Sequence, residues 1–135
     1  MDDLVEVELA RLVVQTSDDH QYVHLRTKED NRTFPIVIGF VEANELRRKI
    51  LSQDGERPMT HDLIGRILEA TDWTLKKVAV NALHDGTFFA MLVLDHDGTE
   101  KLIDCRPSDA LCLAAQVGAP IFVSRSVLDE VAADQ

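Results

Sequence analysis

The sequence predicts an α+β fold in a single domain over 1–135, with a mixed, mostly antiparallel sheet and three to four helices. Three observations carry that prediction. Val5, Val7 and Leu9 alternate with Glu6 and Glu8, which is the period of a half-buried strand. Asp85-Gly86 and Asp97-Gly98 each separate two apolar alternating runs, a strong hairpin signal. Strands come in runs with helices between the runs, which means α+β.

Taken in order, the first strand slips phase from Leu9 to Leu12 and Val14, which predicts a bulge near Ala10–Arg11. Thr16–Asp19 makes a turn, Tyr22–Arg26 is a second strand, and Phe34–Ile38 a third after the polar loop Lys28–Arg32. Pro35 has no N–H to donate, so its strand belongs at a sheet edge or begins there. Past Gly39 the period changes: Ala43, Leu46 and Ile50 share a helical face, with Glu45 and Lys49 as an i,i+4 pair outside it. That helix should stop near Ser52. After the Asp54-Gly55 and Pro58 loop, Thr60 is a suitable N-cap for a helix reaching Thr71, with Leu63, Ile64, Ile67 and Leu68 inward.

A meander follows, with strands Leu75–Leu83, Thr87–Leu94 and Thr99–Asp104. A helix from about Pro107 to Val117 comes next. Ala110–Ala115 contains no polar residue, so both faces of this helix should be covered by protein, and Gly118 is its C′ residue. Ile121–Val123 is a short last strand, and Ser126 with Asp129 three residues on caps a final helix.

Composition bounds the function. At 45% apolar and 28% charged, the chain reads as a soluble globular protein and not as a disordered one. No run approaches the roughly 20 apolar residues of a membrane span, and the acidic, strand-like start excludes a signal peptide. Cys105 and Cys112 lack the C-x-x-C spacing of a metal or redox motif and read as reduced, packed thiols of a cytoplasmic protein. The net charge of −10 opposes a grip on many phosphates, so nucleic-acid chemistry would need a local positive patch or a bound divalent cation. Arg47, Arg48 and Lys49, and the scattered Arg57, Arg66, Lys76 and Lys77, read as solvated faces.

His-Asp occurs at 61–62, 84–85 and 96–97. The last two sit in His-Asp-Gly-Thr at hairpin tips, where the turn itself demands Asp-Gly. A helical His-Asp phosphohydrolase is excluded by the strand content. His61-Asp62 instead opens a helix: Asp62 suits the helix dipole, and His61 could be a general base or metal ligand. Glu42 opens the first helix in the same way. Arg106 and Asp109 lie i,i+3 at the start of the apolar helix, where a local salt bridge is the default. The same start could hold a phosphate through Arg106, Ser108 and exposed N–H groups. Each residue alone favours a structural role, but three polar helix openings in a small domain favour a shared cleft.

The segments FPIVIGFVEANEL at 34–46, RPMTHDLIGRILEA at 57–70 and IDCRPSDALCLAAQVGAPIFV at 103–123 resemble, in the same order, those of the bifunctional nuclease family. The resemblance covers nearly the whole chain. It implies an α+β fold, a homo-oligomer (dimer or higher) and cleavage of RNA and DNA. Carried onto this sequence it implies Glu42, Asp62 and Asp109 as ligands of Mg²⁺ or Mn²⁺, and His61, Asp62 and Arg106 as catalytic residues. His61 would act as the base, and Arg106 with Ser108 would bind phosphate. The rival reading is a non-enzymatic oligomeric module that binds a small anion or a protein partner. The two share a fold and part on metal-dependent cleavage.

Overall fold

The structure, a computed structural model, describes residues 3–15 and 20–132; the turn predicted at 16–19 lies outside the described residues. The elements are β1 Leu4–Val13, β2 His20–Thr27, β3 Thr33–Gly39, α1 Phe40–Ile50, α2 Thr60–Ala70, β4 Thr74–His84, β5 Thr87–His96, β6 Thr99–Cys105, α3 Pro107–Val117, β7 Ile121–Ser124 and α4 Arg125–Ala132. The strands form one sheet in the order β3-β2-β1-β7-β4-β5-β6. Neighbours are antiparallel except β7 and β4, which are parallel. Two meanders, β1–β3 and β4–β6, are joined through the short β7, and the α3 crossover supplies the long connection that a parallel neighbour needs. The fold is α+β.

Local chemistry explains most boundaries. The register of β1 against β2 shifts between Leu9 and Arg11, the bulge that the slipped phase predicts. Pro35 sits on β3, at one edge of the sheet, opposite His24 of β2. Both hairpin turns have two successive left-handed residues, Asp85 and Gly86 at φ 51° and 79°, and Asp97 and Gly98 at φ 49° and 87°. This backbone matches strand twist and favours Asp-Gly.

The main core gathers Leu25, Phe34 and Ile36 from the sheet, Leu46 from α1, Leu111 and Leu113 from α3 and Leu128 from α4. Each such leucine contributes about 1.5–3 kcal/mol by leaving water. Ala110 to Ala114 are at most 1% exposed, because α3 lies between α1 and the strands β4 and β5, with α2 alongside. This covering of both faces is why the helix carries no polar residue there. Gly118 ends it at φ 75°, and its N–H bonds the Ala114 carbonyl at 2.8 Å. A Cβ at Gly118 would meet nothing within 4 Å, so Gly118→Ala should lower stability by about 1 kcal/mol through backbone strain alone. Urea unfolding would measure this, and an unchanged midpoint would contradict it.

Four local expectations need correction. Thr60 is not the cap of α2 but its first residue; Met59 occupies the cap position, and its N–H is accepted by the Asp62 carboxylate at 2.8 Å. Of the four α2 residues expected inward, Ile64 and Leu68 pack on the core, whereas Leu63 and Ile67 are exposed. Only a narrow face of α2 meets α3 and β4. The inward face of α1 is Ala43, Leu46 and Lys49, so Lys49 does not lie outside it and Ile50, expected on that face, is exposed. At α4, the Ser124 hydroxyl accepts the Val127 N–H at 3.3 Å, so the cap falls two residues before Ser126. Among the described residues, no helix is long and apolar enough to cross a membrane.

Candidate active site at three helix starts

Helix starts expose unpaired N–H groups and the positive end of the helix dipole, so they attract polar side chains. Here three of them meet. Val41, Glu42 and Glu45 from α1, Met59, Thr60 and His61 from the start of α2, and Arg106 and Asp109 from the start of α3 line one cleft of about 200 Å³. Local sequence places each group. Gly39 precedes α1, and its missing side chain leaves the space that the Glu42 carboxylate fills. Arg106 caps α3 in extended conformation, with Pro107 as the first helical residue.

Asp109 is the hub. Its Oδ1 is 2.9 Å from His61 Nε2 and accepts from Arg106 Nη2 at 2.9 Å, while its Oδ2 accepts from Arg106 Nε at 2.9 Å. An ionised carboxylate only accepts, so His61 carries its proton on Nε2. Burial pushes the Asp109 carboxyl up, but hydrogen bonds from Arg106 and His61 outweigh burial and hold it below the usual aspartate range. The Arg106 Nη1 lies 4.0 Å from Glu42 Oε2, and His61 Nδ1 lies 3.7 Å from Glu45 Oε1. The imidazole is therefore fixed through one nitrogen, and the other makes no direct hydrogen bond to Glu45 at that distance.

Behind the cleft lies a second cluster. Asp62 accepts from the buried Lys49 ammonium, from Arg48 Nη2 at 3.1 Å and from the Met59 N–H at 2.8 Å. Arg48 also bonds both oxygens of Glu45, at 2.9 and 3.3 Å. The hydrogen bond from Lys49, and next that from Met59, hold the Asp62 carboxyl far below its ordinary value of 3.8. A depressed folded pKa stabilises the protein above the unfolded value, and that contribution is lost as pH falls. Stability should therefore decline from about pH 4 downward, and Asp62→Asn should flatten this decline. Melting temperatures of both proteins from pH 6 to pH 2 would test it; parallel curves would contradict it.

Gln116 of α3 ties the two helices further, donating through Nε2 to the His61 carbonyl at 3.2 Å. Gly65 makes the space, since a Cβ there would collide with that amide.

The structure thus brings together Glu42, His61, Arg106 and Asp109. Asp62 is engaged with Lys49 and Arg48 and borders an adjoining cavity of about 370 Å³ instead. Ser108 is buried and does not line the cleft. Sequence reasoning missed Glu45, Arg48, Lys49 and Gln116. Glu42, Glu45 and Lys49 stand at i, i+3 and i+7, a charged stripe beside the apolar one, and that spacing was a usable signal. Gln116 carried none.

Among the described residues, no group of three or more His, Cys, Asp or Glu side chains is placed to hold a metal ion by itself. Mg²⁺, however, is commonly bound by one or two carboxylates together with substrate phosphate. Glu42, 4.0 Å from Arg106 Nη1, lines the cleft, whereas both oxygens of Asp109, like those of Asp62, already accept hydrogen bonds. Cys105 and Cys112 are unbridged, and burial pushes both thiols up to about 12, so neither offers a thiolate nucleophile.

A family profile described as the bifunctional nuclease domain matches residues 23–135. Two uncharacterized proteins of Mycobacterium tuberculosis, from strains CDC 1551 / Oshkosh and ATCC 25618 / H37Rv, are each 34% identical over 123 residues. The match covers 91% of this chain and 73% of theirs.

Proposed function

This chain belongs to the bifunctional nuclease domain family, and on that premise we propose that it hydrolyses RNA and DNA phosphodiester bonds without strong sequence preference. The observation that carries the reading is the convergence of His61, Asp109 and Arg106 in one cleft at three helix starts. Asp109 holds the His61 imidazole with its proton on Nε2, which leaves Nδ1 to take a proton from an attacking water. The water oxygen bonds to phosphorus, the opposite P–O bond breaks, the leaving oxygen takes a proton from solvent on its own side, and His61 later returns the proton it took to bulk water. Arg106 offsets the charge that gathers on the phosphoryl oxygens. Contacts to phosphate carry no base identity, in keeping with weak sequence preference.

A Mg²⁺ or Mn²⁺ ion entering with the phosphate would be held by Glu42, with Asp109 joining only by giving up a bond from Arg106, and would supply further charge neutralisation. The unbridged thiols Cys105 and Cys112 support a reducing, cytoplasmic setting. A homo-oligomer would form on the exposed edge strand β6, with Leu102 and Ile103, or on the outer residues Leu63 and Ile67 of α2.

Arg106→Ala should lower kcat/KM for a single-stranded oligonucleotide by about 10²–10³-fold, since it removes the phosphate contact and loosens Asp109. Initial rates with Mg²⁺, with Mn²⁺ and with chelator would show this; a rate within twofold of wild type, as an order-of-magnitude bound, would refute the role.

A further inference from the structure

Resting on the nuclease reading, we infer that this cleft takes short nucleotide phosphodiesters, dinucleotides above all, and engages them through a single phosphate. Size is the first reason. At about 200 Å³ the cleft is smaller than the roughly 300–1,000 Å³ of ordinary ligand pockets, so it has room for a phosphodiester and part of a sugar, not for a run of nucleotides.

Charge is the second. A long polyanion binds by laying successive phosphates on Lys and Arg side chains, each releasing counterions. The cleft lining holds the three carboxylates of Glu42, Glu45 and Asp109 against the single guanidinium of Arg106. A strand continuing into the adjoining cavity would meet Asp54, Glu56, Asp62 and Glu69 against Arg57 and Arg66. Arg48 and Lys49, next to the cleft, are already bonded to Glu45 and Asp62. Arg106 is also bonded, to Asp109, but its side chain is 64% exposed and reaches solvent at the mouth. The chain as a whole carries −10, which repels a polyanion further.

The rim adds the recognition of one nucleoside. Val41 is 76% exposed and Met59 50%, and both border the cleft. They offer an apolar seat for a base or sugar face beside the phosphate, with no contact to any base edge.

The test is equilibrium binding of a dithymidine phosphorothioate, which resists hydrolysis, against an oligothymidine phosphorothioate about twenty residues long, counted per phosphodiester. Affinities should agree within about threefold, with a slope of log K against log salt near −0.7, the value for one phosphate of a single strand. Arg106→Ala should abolish both. An affinity about tenfold or more higher for the long chain, or a slope steeper than about −3, overturns the inference. So does failure of the dinucleotide to bind. The expected binding profile without cleavage of the all-oxygen dinucleotide supports this ligand class while overturning the nuclease reading, so the two fail separately.

Discussion

His61→Ala should slow phosphodiester hydrolysis by about 10²–10⁴-fold, the range that a positioned general base supplies. The effect follows from the placement of the ring. His61 is buried, its Nε2 is 2.9 Å from Asp109, and its Nδ1 is on the side of Glu45. Among the described residues, no other histidine lines the cleft. The variant should keep its fold, because Asp109 retains both bonds from Arg106 and the core below is untouched. Circular dichroism and a denaturant midpoint would establish the fold, and initial rates the loss. A folded variant within about threefold of wild type would show that His61 is not the base.

Lys49→Ala should cost about 3–5 kcal/mol of stability, which would unfold a marginal protein. Lys49 is 8% exposed, and its ammonium bonds Asp62 and stands 3.9 Å from Glu45 Oε1. Removing the cation leaves Asp62 and Glu45 to share the one charge of Arg48, so buried charge that is only half compensated dominates the loss. Lys49→Met keeps most of the volume and isolates that charge effect from the cavity. Urea unfolding of both variants is the measurement. If Lys49→Met were as stable as wild type, the ammonium would contribute nothing net, as some buried ion pairs do.

The sheet was legible because its signals are local. Asp85-Gly86 and Asp97-Gly98 fix two turns by backbone conformation, Pro35 marks an edge, and the phase slip at Leu9 marks the bulge. The bounds of α3 were equally readable, since Pro107 and Gly118 act at its ends whatever packs against it. Local pattern failed where a neighbouring element decides the outcome. Leu63 and Ile67 look like core residues by type, yet α2 meets the body through Ile64 and Leu68. Lys49 looks like a surface residue by type, yet Asp62, 13 positions on in another helix, draws it inward. The candidate cleft was half legible for the same reason. Polar residues at three helix starts signalled Glu42, His61, Arg106 and Asp109, whereas the turn of Asp62 toward Lys49 depends on how α3, which packs against both, sets α2 beside α1.

The place of the phosphate is best tested by following the Arg106 Nε–H and the His61 imidazole by NMR during titration with dithymidine phosphorothioate. A phosphate bound at the three helix starts must displace or share the Arg106–Asp109 bonds and sense the ring 2.9 Å from that carboxylate. Both signals should shift together and saturate at the same ligand concentration. Saturating shifts elsewhere on the surface, with Arg106 and His61 unmoved, would contradict the site.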